Sequence, residues 1–267
     1  MPELPDVESF KKYFQRTSLK KKIIDVEGES KVLVRKIAFQ DFKKKLVGES
    51  FKKAWRRGKF LIVEIKGIPE KLVIHFGMTG DLHYVKQDNE KEGEDRFARL
   101  IFKFDNGYEL RWLNMRKFGR VYLVRDLNKI GLIKEMGAEP LKISKAQFLE
   151  LLNKNKEKNI KAFLMDQREI AGIGNVYSDE ILFRSRINPQ KDVKSLDKIE
   201  KEKLFDKMKE VLKEAIQIRP PTGMLFGANW LLAHRRGDMR CPIDRNHRLK
   251  KETIAGRSAV YCPIHQK

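Results

Sequence analysis

The hydrophobic period of this chain changes once, and that change constrains its fold more than any other feature. Residues 20–125 carry short β-branched and aromatic runs: Ile23 to Val26, Phe60 to Ile65, Leu72 to Phe76, Arg99 to Phe104, Tyr108 to Leu113 and Arg120 to Val124. Gly, Asp and Asn separate them, as expected for strands joined by turns. Asp105-Asn106-Gly107 lies between two such runs, and Asn-Gly takes the positive φ that a tight hairpin needs. This half reads as a β-sandwich or barrel. Val7, Phe10, Tyr13 and Phe14, at helical spacing after Pro5, predict a flanking helix.

From residue 144 the period is helical. Ser144 and Gln147 form a capping-box pair ahead of Phe148, Leu151 and Leu152, and further helices are expected at about 158–166, 175–185 and 197–216. Pro220-Pro221 and Gly223 break the pattern between Ile218 and Met224. The charged stretch from Gln87 to Arg96 reads as a loop. The expected organisation is α+β: a β-sandwich domain over 1–130, a linker over 131–143, a helical domain over 144–235 and a Cys/His-bearing tail over 236–267.

Lys and Arg number 58 against 37 Asp and Glu, a net charge of +21 in 267 residues, which favours a polyanionic partner. No apolar run approaches the roughly 18 residues of a membrane span, and the acidic start MPELPDVESF lacks the basic and apolar regions of an export signal. An intracellular, cytoplasmic protein that needs no membrane is expected. In such a compartment Cys241 and Cys262 point away from a disulfide.

Three constellations carry chemistry. The tail reads Cys241-Pro-Ile-Asp244-Arg-Asn-His247, then Cys262-Pro-Ile-His265. Two thiolates and two imidazoles suit one tetrahedral structural Zn²⁺, with either His247 or Asp244 as the second ligand beside Cys241, Cys262 and His265. Without a metal this tail has little apolar content to hold it folded. Second, the Gly172-Ile-Gly174 turn precedes a helix beginning at Asn175, and free N–H groups at such a start form a phosphate seat. Third, removal of Met1 would leave Pro2 with a secondary amine that is partly neutral near physiological pH. That amine can attack the C1′ of a sugar and form an iminium, and Glu3 beside it can transfer protons.

These features occur in a fixed order: MPELPDVE, Trp55-Arg-Arg-Gly-Lys59-Phe, His75-Phe-Gly-Met78-Thr-Gly, Asn114-Met-Arg116-Lys-Phe118-Gly, Gly172-Ile-Gly-Asn175-Val-Tyr, and the Cys/His hairpin. In that order and over nearly the whole chain, they resemble the formamidopyrimidine-DNA glycosylase/endonuclease VIII family, on the formamidopyrimidine side. The resemblance implies a helix-two-turn-helix domain and a zinc hairpin. It implies a monomeric bifunctional glycosylase/AP lyase acting on double-stranded DNA that contains oxidised purines or abasic sites. Pro2 takes the nucleophile's position, Glu3 the general acid/base's, and Lys59 that of a lysine near the lesion backbone. Met78, Arg116 and Phe118 match the side chains that fill the void left by an extruded nucleotide. Lys161, just ahead of the first helix of the motif, Asn175 and Arg257 match DNA-holding positions.

The chain departs from the family pattern in three places. Asp6 replaces the usual second glutamate of the start, the metal hairpin mixes Cys and His instead of carrying four cysteines, and Pro220 to Leu232 is short and apolar where a longer polar capping loop is usual. A glycosylase for oxidised pyrimidines or hydantoins therefore stays open. So does a protein that binds distorted duplex without catalysis, which the charge, the glycine turn and the hairpin would serve equally well.

Overall fold

The computed structural model describes residues 1–28, 34–87, 95–218, 226–235 and 239–267. The core of the loop expected at 87–96, and the helix-breaking Pro220-Pro221-Gly223 segment, lie outside the described residues. The chain folds into two compact units, one of residues 1–2 and 6–134, the other of residues 3–5 and 135–267.

The first unit begins with α1 (Leu4–Thr17), whose opening residues Leu4 and Pro5 group with the second unit. It continues through β1 (Ile23–Gly28), β2 (Val34–Arg35), α2 (Phe39–Leu46), β3 (Ser50–Arg57), β4 (Phe60–Lys66), β5 (Lys71–His75), β6 (Gly80–Lys86), β7 (Ala98–Phe104), β8 (Tyr108–Asn114), β9 (Arg120–Val124) and α3 (Gly131–Lys134). The strands form two sheets, ordered β1-β7-β8-β6 and β2-β9-β5-β4-β3. All pairs are antiparallel except β2 with β9. Inward side chains of both sheets share one core: Phe102, Phe104 and Trp112 from the first meet Phe51, Leu61 and Ile74 from the second. The Phe51 ring lies 5.4 Å from Phe102 across the sandwich. Helix α1 closes it with Phe10 and Phe14, packed on Phe76 at 4.4 Å and Phe51 at 5.0 Å. The Asn106-Gly107 turn joins β7 to β8 with Gly107 at φ 79°.

The second unit holds α4 (Lys145–Lys154), α5 (Ile160–Met165), α6 (Asn175–Ser185), α7 (Lys198–Ile218), α8 (Leu231–His234) and the hairpin of β10 (Lys250–Ile254) and β11 (Arg257–Tyr261). Ser144 and Gln147 cap α4 reciprocally, and the Asn159 side chain accepts the first free N–H groups of α5, from Lys161 and Ala162. Apolar faces of α4 to α7 enclose Phe148, Phe163, Ile181, Leu204 and Met208. The tail packs through Cys241, Val260 and Cys262 on Phe183 of α6.

Candidate active site, metal centre and nucleic-acid interface

Glu3 is organised by the second unit. The chain turns back after α5, and Gly172 takes φ +92°, a conformation that side chains strain. Leu4 N–H donates to Gly172 O at 2.9 Å. The Glu3 carboxylate then accepts N–H bonds from Gly174 at 2.6 Å, Val176 at 2.8 Å and Tyr177 at 3.3 Å. Those donors are the free amides at the start of α6, where the helix dipole favours an anion. Gly174 is required because a Cβ there would come 2.5 Å from Glu3 Cδ. This corrects the sequence reading of the turn as an open phosphate seat: an acidic side chain from the start of the chain holds these amides. Asn175 stands at the same helix start with its side-chain Oδ1 buried and unpartnered.

Lys161 falls inside α5, in its first turn, rather than ahead of it. Its side chain is fully buried. The ammonium pairs with Asp179 and lies 3.3 Å from Ser178 Oγ and 3.4 Å from Asn175 O. Arg235 reaches the same carboxylate and the same Asn175 carbonyl, and Val260 N–H of β11 donates to Asp179 Oδ2 at 3.0 Å. Desolvation pulls the Lys161 ammonium below its ordinary value, against the attraction of Asp179. Asp179 thus joins α5, α6, the end of α8 and the hairpin. No local motif marks it, since its partners lie 18, 56 and 81 residues away.

In the first unit, Gly58 at φ 53° makes the tight β3–β4 turn that carries Lys59, which is largely buried. On the neighbouring strand His75 lies against Phe60, ring centroids 4.8 Å apart. Burial, then the Lys59 and Arg120 charges, depress His75 to about 4. Its Nδ1 accepts the Gly77 N–H at 3.3 Å, so the neutral ring presents Nε2–H as a donor. His75 opens one of the ordered sequence motifs, but its residue type and spacing alone assign it no role.

Met78, Arg116 and Phe118 come together because two loops of the first unit interlock. Gly77 takes φ +64°, with Phe118 C and Gly119 N 2.5 Å from where its Cβ would stand. Asn114 Nδ2 donates to Phe76 O, and Arg116 N–H to Thr79 Oγ1. All three side chains are exposed, Met78 at 41% and Phe118 at 55%. The Arg116 guanidinium sits 5.1 Å from the Phe118 centroid. A core role for Met78 and Phe118 is excluded by that exposure.

The tail gathers Cys241, His247 and Cys262, whose ligand atoms lie within 4.8 Å of one another. Both cysteines are buried free thiols. His247 has Nε2 at 3.4 Å from Asp244 and leaves Nδ1 buried without a partner. The group that could hold a metal contains His247 and not Asp244, and Asp244 stands beside the imidazole it would orient. His265 lines the same pocket as His247 and bonds through its ring to the Phe183 backbone, leaving Nε2 buried and unpartnered. Burial pushes the Cys262 thiol up, while backbone N–H groups of His265 and Ile264 stabilise its anion. The two thiols and the His247 imidazole form one group that could hold a zinc ion, while His265 lines the same pocket but falls outside that group. Beyond this site, Ala255 and Gly256, at φ 50° and 72°, turn the hairpin and leave Arg257 exposed at its tip.

Known families match both units. The profile described as Formamidopyrimidine-DNA glycosylase N-terminal domain matches residues 1–121, and that described as Formamidopyrimidine-DNA glycosylase H2TH domain matches residues 136–223. The chain belongs to the formamidopyrimidine-DNA glycosylase family. A formamidopyrimidine-DNA glycosylase of Pelotomaculum thermopropionicum is 34% identical over 100% of this chain and 99% of its own. Among solved structures, wild-type Lactococcus lactis Fpg bound to DNA containing N7-benzyl-Fapy-dG superposes with a TM-score of 0.85 at 30% identity, covering 100% of both chains. The same enzyme bound to DNA containing an oxidised pyrimidine gives 0.86 at 29% identity, again over 100% of both. Membership in this family accounts for the pairing of a β-sandwich with a helix-two-turn-helix unit and a Cys/His hairpin. No described helix is long and apolar enough to cross a membrane.

Proposed function

We propose that this protein is a bifunctional DNA glycosylase/AP lyase of base excision repair that removes oxidised purines and cleaves abasic sites in double-stranded DNA. The observation that carries the reading is Glu3, held by three amide N–H bonds at the start of α6 and joined through one peptide bond to Pro2. Once Met1 is removed, the Pro2 nitrogen attacks C1′ of the damaged nucleotide. The N–C1′ bond forms as the glycosidic bond breaks, and the base leaves with a proton; the sugar ring then opens at C1′–O4′, O4′ taking a proton as C1′ becomes the iminium carbon, and Glu3 is the group placed to move that proton. The resulting iminium acidifies the C2′ proton. Its loss expels the 3′ phosphate, and a second elimination expels the 5′ phosphate.

The remaining residues act on DNA. Met78, Phe118 and Arg116 fill the gap left by the extruded nucleotide: the thioether and ring wedge the stack, and the guanidinium bonds the orphaned base. Lys59, the neutral His75, Asn175 and Arg257 supply donors for phosphates. Lys161 acts through Asn175, holding its carbonyl, rather than by touching DNA. Cys241, His247, Cys262 and His265 would hold one structural zinc ion at the base of the hairpin that presents Arg257. The protein works inside the cell, where its thiols remain reduced.

Single-turnover cleavage of duplexes carrying 8-oxoguanine, formamidopyrimidine or thymine glycol tests the substrate assignment. The purine lesions are expected to be cut fastest. Faster cleavage of thymine glycol would reassign the enzyme to oxidised pyrimidines, and binding without cleavage of any lesion or abasic duplex would leave a damage-binding protein.

A further inference from the structure

Helix α6 has two functional ends. Asn175 and the Glu3-binding amides stand at its start, whereas Arg186, its left-handed C-cap at φ 62°, stands eleven residues later, roughly 16 Å along the axis at 1.5 Å per residue. A cavity of about 450 Å³ opens at this far end. Ile243, Arg186, Lys203, Lys207 and His265 line it, with the His265 ring covering the buried Phe183 ring at 4.8 Å. A second cavity, of about 360 Å³, shares Arg186, Ile243 and His265 with it and runs past His247, at the edge of the metal site, along Ile264 to Lys267.

The chemistry of this groove is specific. Ile243 and Ile264 are 57% and 56% exposed although they flank the buried cysteine hairpin, so an apolar pair is presented to solvent beside cations. Lys207 pairs with Glu210 at 2.6 Å. Arg186 and Lys203 make no ion pair among the described residues, although carboxylates satisfy their neighbours Arg184, Lys191 and Lys194. Packing free cations against one another is repulsive unless an anion is supplied. A DNA backbone would use the cations but would leave the two exposed isoleucines uncovered.

We infer that this groove is a docking surface for a partner protein, received as an extended acidic segment that carries an aliphatic or aromatic anchor. The carboxylates of that segment pair with Arg186 and Lys203, and its anchor packs against the exposed Ile243 and Ile264. Because the groove lies at the opposite end of α6 from Asn175, the segment binds while the lesion is engaged. That arrangement suits the handover of nicked DNA to the next repair factor.

The test uses the full, zinc-loaded chain and fluorescence anisotropy with a fluorescein-labelled peptide in which a run of aspartates precedes Leu-Ile-Phe. Binding is expected to weaken by about tenfold or more in Arg186→Glu, in Lys203→Glu, and when the peptide's apolar residues are changed to serine. Charge reversal at the exposed Lys44 of α2 controls for the overall charge of +21 and is expected to leave binding unchanged. Both groove variants should retain cleavage of a lesion duplex. The inference is overturned if no binding appears up to about 1 mM peptide, if Lys44→Glu weakens binding as much as the groove variants, or if the serine peptide binds equally. Displacement of the peptide by undamaged duplex, together with weakened duplex binding in Arg186→Glu, would make the groove a nucleic-acid surface instead.

Discussion

At the scale of single residues, the arrangement turns on Glu3 and the glycine beneath it. The carboxylate has three fixed donors, and Gly174 leaves no room for a methyl group between them. Gly174→Ala is therefore expected to displace Glu3 at an overpacking cost of about 1–3 kcal/mol, which a stable unit tolerates. Excision should fall far more, by roughly 100-fold, because a shift of about 1 Å in a reacting group has that effect. Thermal unfolding measured beside single-turnover excision separates the two; equal retention of activity and stability would show that the position of Glu3 does not matter. The Pro2-Glu3 pair and the glycine turn are each visible in the sequence. That the turn exists to grip the glutamate is not, since the contact spans 171 residues and leaves no periodic trace.

At the scale of elements, strands with continuous apolar runs are legible in the sequence, and so are helices with caps. β4, β5, β7, β8 and β9 and helices α4 to α7 lie where period and capping put them. β3, β6 and α2 are not legible in this way. β3 reads Ser-Phe-Lys-Lys-Ala-Trp-Arg-Arg and buries only Phe51 and Ala54, so its long charged side chains hide a strand that pairing with β4 creates. In α2, lysines outnumber the two buried anchors Phe42 and Leu46. The Asp179 junction is the element-scale feature with the largest expected effect. Asp179→Asn keeps an acceptor for Val260 N–H but strands the Lys161 and Arg235 cations, which are 0% and 15% exposed. Loss of one partner from a buried pair costs about 3–5 kcal/mol. Urea unfolding should register that loss, and DNA affinity should fall because Asn175 and the hairpin are no longer tied together. An unchanged unfolding midpoint would mean that Asp179 does not join them.

At the scale of the whole molecule, two separately packed cores serve one reaction on a polyanion. The hairpin shares only a small core with Phe183 of α6 and Leu231 of α8 and would draw further support from a bound metal, whereas the sandwich buries a large shared core. Chelation of zinc, or Cys262→Ser, is therefore expected to weaken duplex binding strongly while near-ultraviolet signals of the sandwich tryptophans persist; loss of both together would contradict independent cores. Covalent attack by Pro2 is tested by trapping with borohydride on an abasic duplex, followed by digestion and mass spectrometry of the adduct. The expected adduct is a reduced sugar on the peptide that begins at Pro2, with Met1 absent. An adduct on Lys59 or any other lysine, or on a peptide that retains Met1, would contradict it.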